Sequence, residues 1–315
     1  MLAYSRLVCK DASSPERRGG RMDEIAGLMD RLARGEGLTE TTLPGVRLFR
    51  RSEAIARCPL LYRQGLIILG QGAKRVHLGG QTHTYDPDHY LVLSVPLPAE
   101  CEAVVRPGEP LLSLSVDIDM GVLLGVIGQM DNRMNGQAER RDGARACQGL
   151  AVPPADSAFK ESAVRLLRAL TSPEESRVLG PGLVRELLFR VMRGQAAACL
   201  YALAMTNTGL ARIDKALQRI HSDYSRPFHV DELAGCVNMS ASAFHRTFKD
   251  VTSLSPIQYL KKVRLNKAMS MLVEEGVRAG DAARLVGYES VSQFSREFKR
   301  YFGTSPARLP DLRRS

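Results

Sequence analysis

The sequence has no long hydrophobic run. Its longest apolar stretches, such as Leu66–Leu69 and Gly121–Ile127, fall far short of the roughly 18 residues that a membrane span needs. No membrane-spanning helix and no membrane partner are expected. No continuous apolar segment of the secretory type opens the chain. Cysteine is scattered: Cys9, Cys58, Cys101, Cys147, Cys199 and Cys236 form no CxxC pair and no paired spacing. That points to reduced structural thiols and a cytoplasmic protein. Catalytic signatures are missing as well. There is no G-x-S-x-G, no H-E-x-x-H, no phosphate-binding glycine loop and no G-x-G-x-x-G. The chain is read as a non-enzyme without a cofactor.

What is present is size and uneven charge. The 315 residues, 44% of them apolar, suffice for two domains that each bury a core. From Ala211 to Ser315 there are 18 Lys and Arg against 11 Asp and Glu, a net of +7. Residues 1–21 carry a net of +3, and the stretch from Met22 to Leu210 balances at 21 against 21. A basic module beside a neutral one predicts a polyanion partner for the basic module alone.

The pattern along the chain agrees with that division. Residues 1–21 are polar and aperiodic, so disorder is expected there, and translation from Met22 is as sensible a start as Met1. Ile25, Leu28, Met29 and Leu32 predict an amphipathic helix. Short apolar runs then read as strands: Gly65–Leu69, Lys74–Leu78, Gln81–Tyr85, Tyr90–Val95 and Leu111–Asp117. Gly79–Gly80 reads as a tight hairpin turn and Asp86–Pro87–Asp88 as another turn. This predicts a compact β sandwich or barrel. Helical periodicity returns near Met120–Met130, Ser157–Leu170 and Pro181–Leu203. In the last, Leu183, Leu187, Leu188, Val191 and Met192 form one apolar face, assigned to packing within its own domain. Residues 22–205 thus form one domain, 206–210 a linker and 211–315 a helical domain.

The helical domain contains a repeat. Ser240, Ser242, Phe244, Arg246, Phe248, Lys249, Ser255 and Pro256 recur fifty positions later as Ser290, Ser292, Phe294, Arg296, Phe298, Lys299, Ser305 and Pro306. One helix earlier, Ala234 and Val237 match Ala283 and Val286 at an offset of forty-nine. The extra residue therefore lies in a turn between two helices. Each copy has the parts of a helix-turn-helix, over 230–251 and 281–302. A small alanine lets the second helix cross close, a serine (Ser240, Ser290) caps that helix, and a Phe pair four residues apart makes its buried stripe. The side chains off that stripe face outward and suit a major groove. They are Ser242, His245, Arg246 and Lys249 in the first copy, and Ser292, Gln293, Ser295, Arg296 and Lys299 in the second. Arg246 and Arg296 suit a guanine edge, whereas Lys249, Lys299 and Arg300 suit phosphate. Between the copies, Leu260, Val263, Ala268 and Leu272 mark a spacer helix that also carries Lys261, Lys262, Arg264 and Lys267. If it holds the two recognition helices parallel and ~34 Å apart, one chain reads two successive major grooves. The outward side chains differ between copies, so each chain's site should be asymmetric.

Residues from about Ile213 to Leu309, above all the run from Gly287 to Pro306, resemble the DNA-binding domain of the AraC/XylS family of bacterial transcription regulators. The resemblance implies that Ser242, His245 and Arg246, and then Ser292, Gln293 and Arg296, read bases. The stretch from Leu66 to Pro98 resembles the family's N-terminal regulatory domain, in the subgroup that includes aldehyde-responsive regulators. It implies a cupin-like fold that senses an effector or dimerises. The whole is therefore expected to be α+β: an N-terminal cupin-like β domain with flanking helices and a C-terminal all-α domain with two helix-turn-helix units. The expected partners are double-stranded promoter DNA, a small-molecule effector such as an aldehyde, RNA polymerase and a second copy of the chain. His77, His83 and His89 cluster in the β region, but the His-x-His pattern of metal-binding cupins is absent, so no metal is assigned. Cys58 and Cys101 are read as inert buried thiols, with electrophile sensing by a thiolate as the alternative. Two rival readings stay open: a cupin-like enzyme fused to a DNA-binding module, and a constitutive binder whose N-terminal domain only dimerises.

Overall fold

A computed structural model describes residues 21–130, 148–227 and 229–309. The disorder expected for residues 1–21 falls outside the described residues, apart from Arg21, which opens α1 (Arg21–Leu32). Ile25, Leu28 and Met29 are buried where α1 packs on the β domain.

That domain consists of two antiparallel sheets. The larger has the order β1 (Gly37–Glu40), β2 (Val46–Arg51), β9 (Leu111–Asp117), β4 (Gly65–Gln71), β7 (Tyr90–Leu93), β10 (Leu150–Ala151). The smaller has the order β3 (Ile55–Tyr62), β8 (Leu97–Val104), β5 (Ala73–Leu78), β6 (Gln81–Tyr85). Alternation sets the inner face: Lys74, Val76 and Leu78 point inward from β5, and Ala99, Cys101 and Ala103 from β8. The β5–β6 hairpin turns at Gly79 and Gly80, with φ of 58° and 82°. Two successive positive φ values are what a tight primed turn requires. The turn at Asp86 is closed by His89 N–H donating to the Asp86 carbonyl at 3.0 Å.

The strands predicted from sequence are all present, with ends shifted by a few residues. β1, β2, β3, β8 and β10 are additional. β3 contains Pro59, which an edge strand tolerates. Cys58 and Tyr62 are buried on its inner face, and Pro59 and Leu61 are half-buried on the other, because the outer face meets helices of the C-terminal half. A strand covered on both sides shows no clean alternation.

Besides α1, the described helices that flank the sheets are α2 (Met120–Ile127), α3 (Ser157–Ala169), α4 (Pro173–Arg193) and α5 (Ala197–Ala204). The helix expected over Pro181–Leu203 is instead two. Ser172 caps the first by accepting from Glu175 N–H at 3.3 Å, with Pro173 in the first turn, so Pro181 lies inside α4. Gly194, with extended backbone, ends it. Leu187, Leu188, Val191 and Met192 are fully buried within the domain, as their periodicity indicated.

The C-terminal half comprises α6 (Gly209–Ser222), α7 (Val230–Cys236), α8 (Ala241–Thr252), α9 (Pro256–Ser270), a π-helical turn at Met271–Glu275, α10 (Ala279–Leu285) and α11 (Val291–Phe302). The expected α+β architecture is therefore seen. The apolar core is apportioned unevenly. One continuous core runs from α1 through the sheets and α6 to Phe244, Phe248 and Val263. A second core gathers Leu272, Val286, Phe294, Phe298 and Phe302. The first helix-turn-helix thus shares its interior with the β domain, and the second has its own.

Candidate nucleic-acid interface

Both copies of the repeat fold into the same unit. In the first, α7 packs through Leu233 and Ala234, and α8 buries Phe244 and Phe248. In the second, Ala282 and Ala283 of α10 meet Phe294 and Phe298 of α11. The ring centroids lie 5.5 Å apart in the first Phe pair and 5.4 Å in the second, both tilted by 54°. Ser240 and Ser290 cap α8 and α11, accepting from Ala243 N–H at 3.4 Å and Gln293 N–H at 3.3 Å.

The turns show where the extra residue lies. Met239 N–H donates to Ala234 O at 3.0 Å, and Tyr288 N–H to Ala283 O at 2.9 Å. Asn238 and Gly287, with φ of 53° and 83°, occupy the same left-handed position. Up to that point the turns superpose residue for residue, so the insertion is Glu289, directly before the second cap.

The recognition-helix side chains fall largely as the periodicity predicts. Ser242, His245, Arg246 and Lys249 are exposed on α8. Ser292, Gln293, Arg296, Lys299 and Arg300 are exposed on α11, and Ser295 is half-buried. Among the described residues, Arg246, Lys249, Arg296, Lys299 and Arg300 form no ion pair, which leaves five cations facing outward. Gln293 differs from the rest. Its amide donates to Glu297 Oε1 at 3.1 Å, and Glu297 also accepts from Lys261 Nζ at 2.8 Å and Tyr288 OH at 2.9 Å. Partial burial by itself would raise the Glu297 carboxyl. The hydrogen bonds from Lys261, Gln293 and Tyr288 outweigh it and hold the group below its ordinary value.

Three residues that the periodicity did not single out hold the units in place. Glu297 ties α11 to α9. Arg264 on α9 spans the gap between the units, donating to Tyr224 O at 2.7 Å, Arg226 O at 2.8 Å and Gly287 O at 3.0 Å. Tyr259 fixes the first unit to the β domain. Its hydroxyl donates to Pro96 O at 2.8 Å and lies 2.8 Å from His221 Nε2. A phenol has one proton, so His221 must donate to it from Nε2. Gly149 N–H adds a bond to Val251 O at 2.8 Å. A basic residue or a tyrosine on a spacer helix carries no sequence mark of such roles.

Behind the recognition helices, a cavity of about 480 Å³ separates the β domain from α9, the π-helical turn and α11. Phe49, Tyr62, Lys74, Met269, Val273 and Phe302 are among its walls. Lys74 is only 8% exposed, and no carboxylate pairs with it among the described residues. Its ammonium lies 4.9 Å from the centre of the Phe49 ring. Burial pushes the Lys74 ammonium below its ordinary value, against the pull of the neighbouring Cys101 and Cys58 sulfurs. The three β-region histidines do not converge. His77 Nδ1 lies 3.0 Å from Thr82 Oγ1, and His89 Nδ1 lies 2.9 Å from Asp86 Oδ1.

Residues 42–199 match the family described as AraC-type transcriptional regulator N-terminus, and residues 233–311 match a helix-turn-helix domain. The chain belongs to the AraC-type transcriptional regulators. Similar AraC-type and other regulators include the Msm operon regulatory protein of Streptococcus mutans, 30% identical over 31% of this chain and 36% of that protein. AlkR of Acinetobacter baylyi is 35% identical over 30% of this chain and 31% of its own. ArgR of Pseudomonas aeruginosa is 26% identical over 55% of this chain and 50% of its own. The matches thus span between about a third and a half of those relatives' lengths. Among solved structures, ToxT of Vibrio cholerae bound to an unsaturated fatty acid shares the fold with a TM-score of 0.58. It is 11% identical, and the match covers 85% of this chain and 93% of ToxT. Among the described residues no helix is long and apolar enough to cross a membrane.

Proposed function

We propose that this AraC-type regulator is a ligand-responsive activator that reads promoter DNA with α8 and α11 in two successive major grooves. The observation that carries the reading is the pair of capped helices, each with a buried Phe stripe and an exposed cationic face, joined by one braced spacer. In this reading Arg246 and Arg296 pair with guanine edges, and Ser242, His245, Ser292, Gln293 and Ser295 meet neighbouring base edges. Lys249, Lys299 and Arg300 hold phosphates, and Ser240 and Ser290 set the helix N-termini against the DNA backbone. Activation implies contact with RNA polymerase, and the N-terminal domain serves self-association.

The effector site in this reading is the cavity between the β domain and the C-terminal helices. Its chemistry favours an apolar molecule with an anionic end. Apolar walls accept a hydrocarbon, and a carboxylate supplies the counter-charge that Lys74 lacks. A neutral aldehyde, the class suggested by the family resemblance, would leave the ammonium unpaired. The fatty acid bound by ToxT is of the favoured class. A ligand touching both the sheets and α9 has differential contact with the DNA-binding units, which coupling requires.

Selection of bound duplexes from a random pool tests the DNA reading, and should return an asymmetric site of two segments one helical turn apart. Arg246→Ala should then weaken that site by about 1–3 kcal/mol and relax one base position. Equal weakening on random DNA would reassign Arg246 to phosphate. Calorimetry with monomeric oleic acid tests the cavity. Binding should be lost in Lys74→Met, and unchanged binding there would refute the site.

A further inference from the structure

The small sheet places two thiols in the wall of this cavity. Cys58 on β3 and Cys101 on β8 are direct cross-strand partners. Their sulfurs lie 3.9 Å apart, and both line the cavity. In the next strand Val76 pairs with Cys101 and Lys74 with Ala103, so Lys74 is the diagonal neighbour of Cys101 on the same inner face. The Tyr62 and Tyr85 hydroxyls are buried beside them, and Tyr62 lies at the cavity wall. Two thiols, one ammonium and the Tyr62 phenol thus share one stretch of the cavity wall. A purely structural cysteine pair would need neither the ammonium nor the opening to the cavity.

We propose that Cys58 and Cys101 form a dithiol modification site that an apolar organic hydroperoxide, admitted through the cavity, closes to a disulfide. This goes beyond the effector reading and does not depend on it. Cys101 is the attacking sulfur. The hydrogen bond from Cys58 favours its thiolate against burial, with help from the nearby Lys74 ammonium, whereas the same hydrogen bond and burial both raise Cys58. The Cys101 sulfur gives an electron pair to the distal peroxide oxygen and the O–O bond breaks. The alkoxide leaves as the alcohol, with the proton lost from Cys101. Cys58 then attacks the resulting sulfenic sulfur. The S–O bond breaks, and hydroxide leaves as water with the proton of Cys58. In sum, two thiols and one hydroperoxide give one disulfide, one alcohol and one water. The sulfurs must close from 3.9 Å to about 2.05 Å. This draws in β3, the edge strand packed against α9 and α11.

The test is intact-mass and peptide analysis of the full chain treated with cumene hydroperoxide. A loss of 2 Da per chain that maps to a Cys58–Cys101 cross-link and is reversed by dithiothreitol is expected. A cross-link between other cysteines, or oxidation at exposed Cys236 with both cavity thiols intact, overturns the proposal, and this readout needs no variant. Cys58→Ser should stop at a Cys101 sulfenic acid trapped by dimedone, and trapping at another cysteine instead argues against Cys101 as the attacking group. Lys74→Met should slow thiol loss at least tenfold at pH 7, and an unchanged rate removes Lys74 from the site.

Discussion

Arg264 is the joint between the two DNA-reading units, and Arg264→Ala tests that role. Its guanidinium donates to three backbone carbonyls: two, of Tyr224 and Arg226, beyond α6, and one, of Gly287, in the turn of the second unit. A hydrogen bond to a charged group contributes about 1.5–3 kcal/mol net when desolvated. Arg264 is half-buried, so water can replace part of that. The expected loss is about 2–4 kcal/mol in the local stability of the second unit, or roughly 30- to 700-fold in its opening. The second core is separate from the first, so the loss should stay local. Hydrogen exchange read by mass spectrometry on the full chain should show faster exchange in α10 and α11 and little change in α3. Arg264→Lys should fall between, because an ammonium lacks the planar fork that reaches three carbonyls. Gly287→Ala strikes the same joint from the other side. An added Cβ would lie 2.1 Å from Ser225 O, at a φ of +83° that side chains rarely adopt. The two substitutions should therefore be markedly non-additive. Unchanged exchange in α10 and α11, or strict additivity, would refute the joint.

Other consequences are open to measurement. Lys249→Ala and Lys299→Ala should each lower the salt dependence of binding by about one unit of slope without altering base preference; a changed preference would make them base contacts. Gly79→Ala should weaken the seating of the first unit on the β domain, since its Cβ would meet Ser253 Cβ at 2.5 Å at a φ of +58°. An unchanged thermal midpoint would show that the hairpin gives way freely. The third concerns pH. His221 is lowered to about 4, chiefly by burial and then by Lys267, while burial raises Asp214 to about 6 against the hydrogen bond from Gln218. For His221 the unfolded chain binds the extra proton, so its contribution is full above pH 6.5 and is lost as pH falls toward 4. For Asp214 the folded chain binds the extra proton, so its contribution is full below pH 3.8 and is lost as pH rises through 6. The two oppose each other across the overlap. Asp214→Asn should uncover the histidine: stability should fall by up to about 1.4 kcal/mol per pH unit on acidification from 6.5 toward 4. A flat urea-midpoint profile in that variant would contradict the assignment.

Much of the C-terminal half was legible because repetition doubles every signal. Ser240, Phe244 and Phe248 could be checked against Ser290, Phe294 and Phe298, and even the inserted turn residue followed from the offsets. In the β domain, runs of large apolar residues such as Tyr90–Leu93 announced themselves; β3 did not, because both its faces are covered, and β8 did not, because its inward positions include the small Ala99, Cys101 and Ala103. Helix α4 was displaced because Pro181 looks like a start, whereas the true start at Ser172 depends on a cap and on Leu43 packing across Gly180. The outward side chains of the candidate interface could be read from helical phase. The braces could not: Arg264, Tyr259 and Glu297 act through backbone carbonyls and partners that only tertiary placement brings near. The meeting of Cys58, Cys101 and Lys74 depends on strand register across three strands, which scattered sequence positions do not encode.

The rigidity of α9 has a consequence for the arrangement of base pairs in the target. Fifteen residues of helix span about 22 Å, started by a reciprocal Ser255–Gln258 cap and pinned at Arg264. Such a spacer cannot stretch. Inserting about five base pairs between the two contacted segments would turn the second groove to the far side of the duplex, leaving a single unit engaged. Inserting a full turn of about ten would restore the rotational phase but not the reach. A flexible tether would recover affinity at the longer spacing through its effective concentration. For this chain both insertions should fall to the affinity of one unit, so that distance as well as phase becomes part of the code it reads.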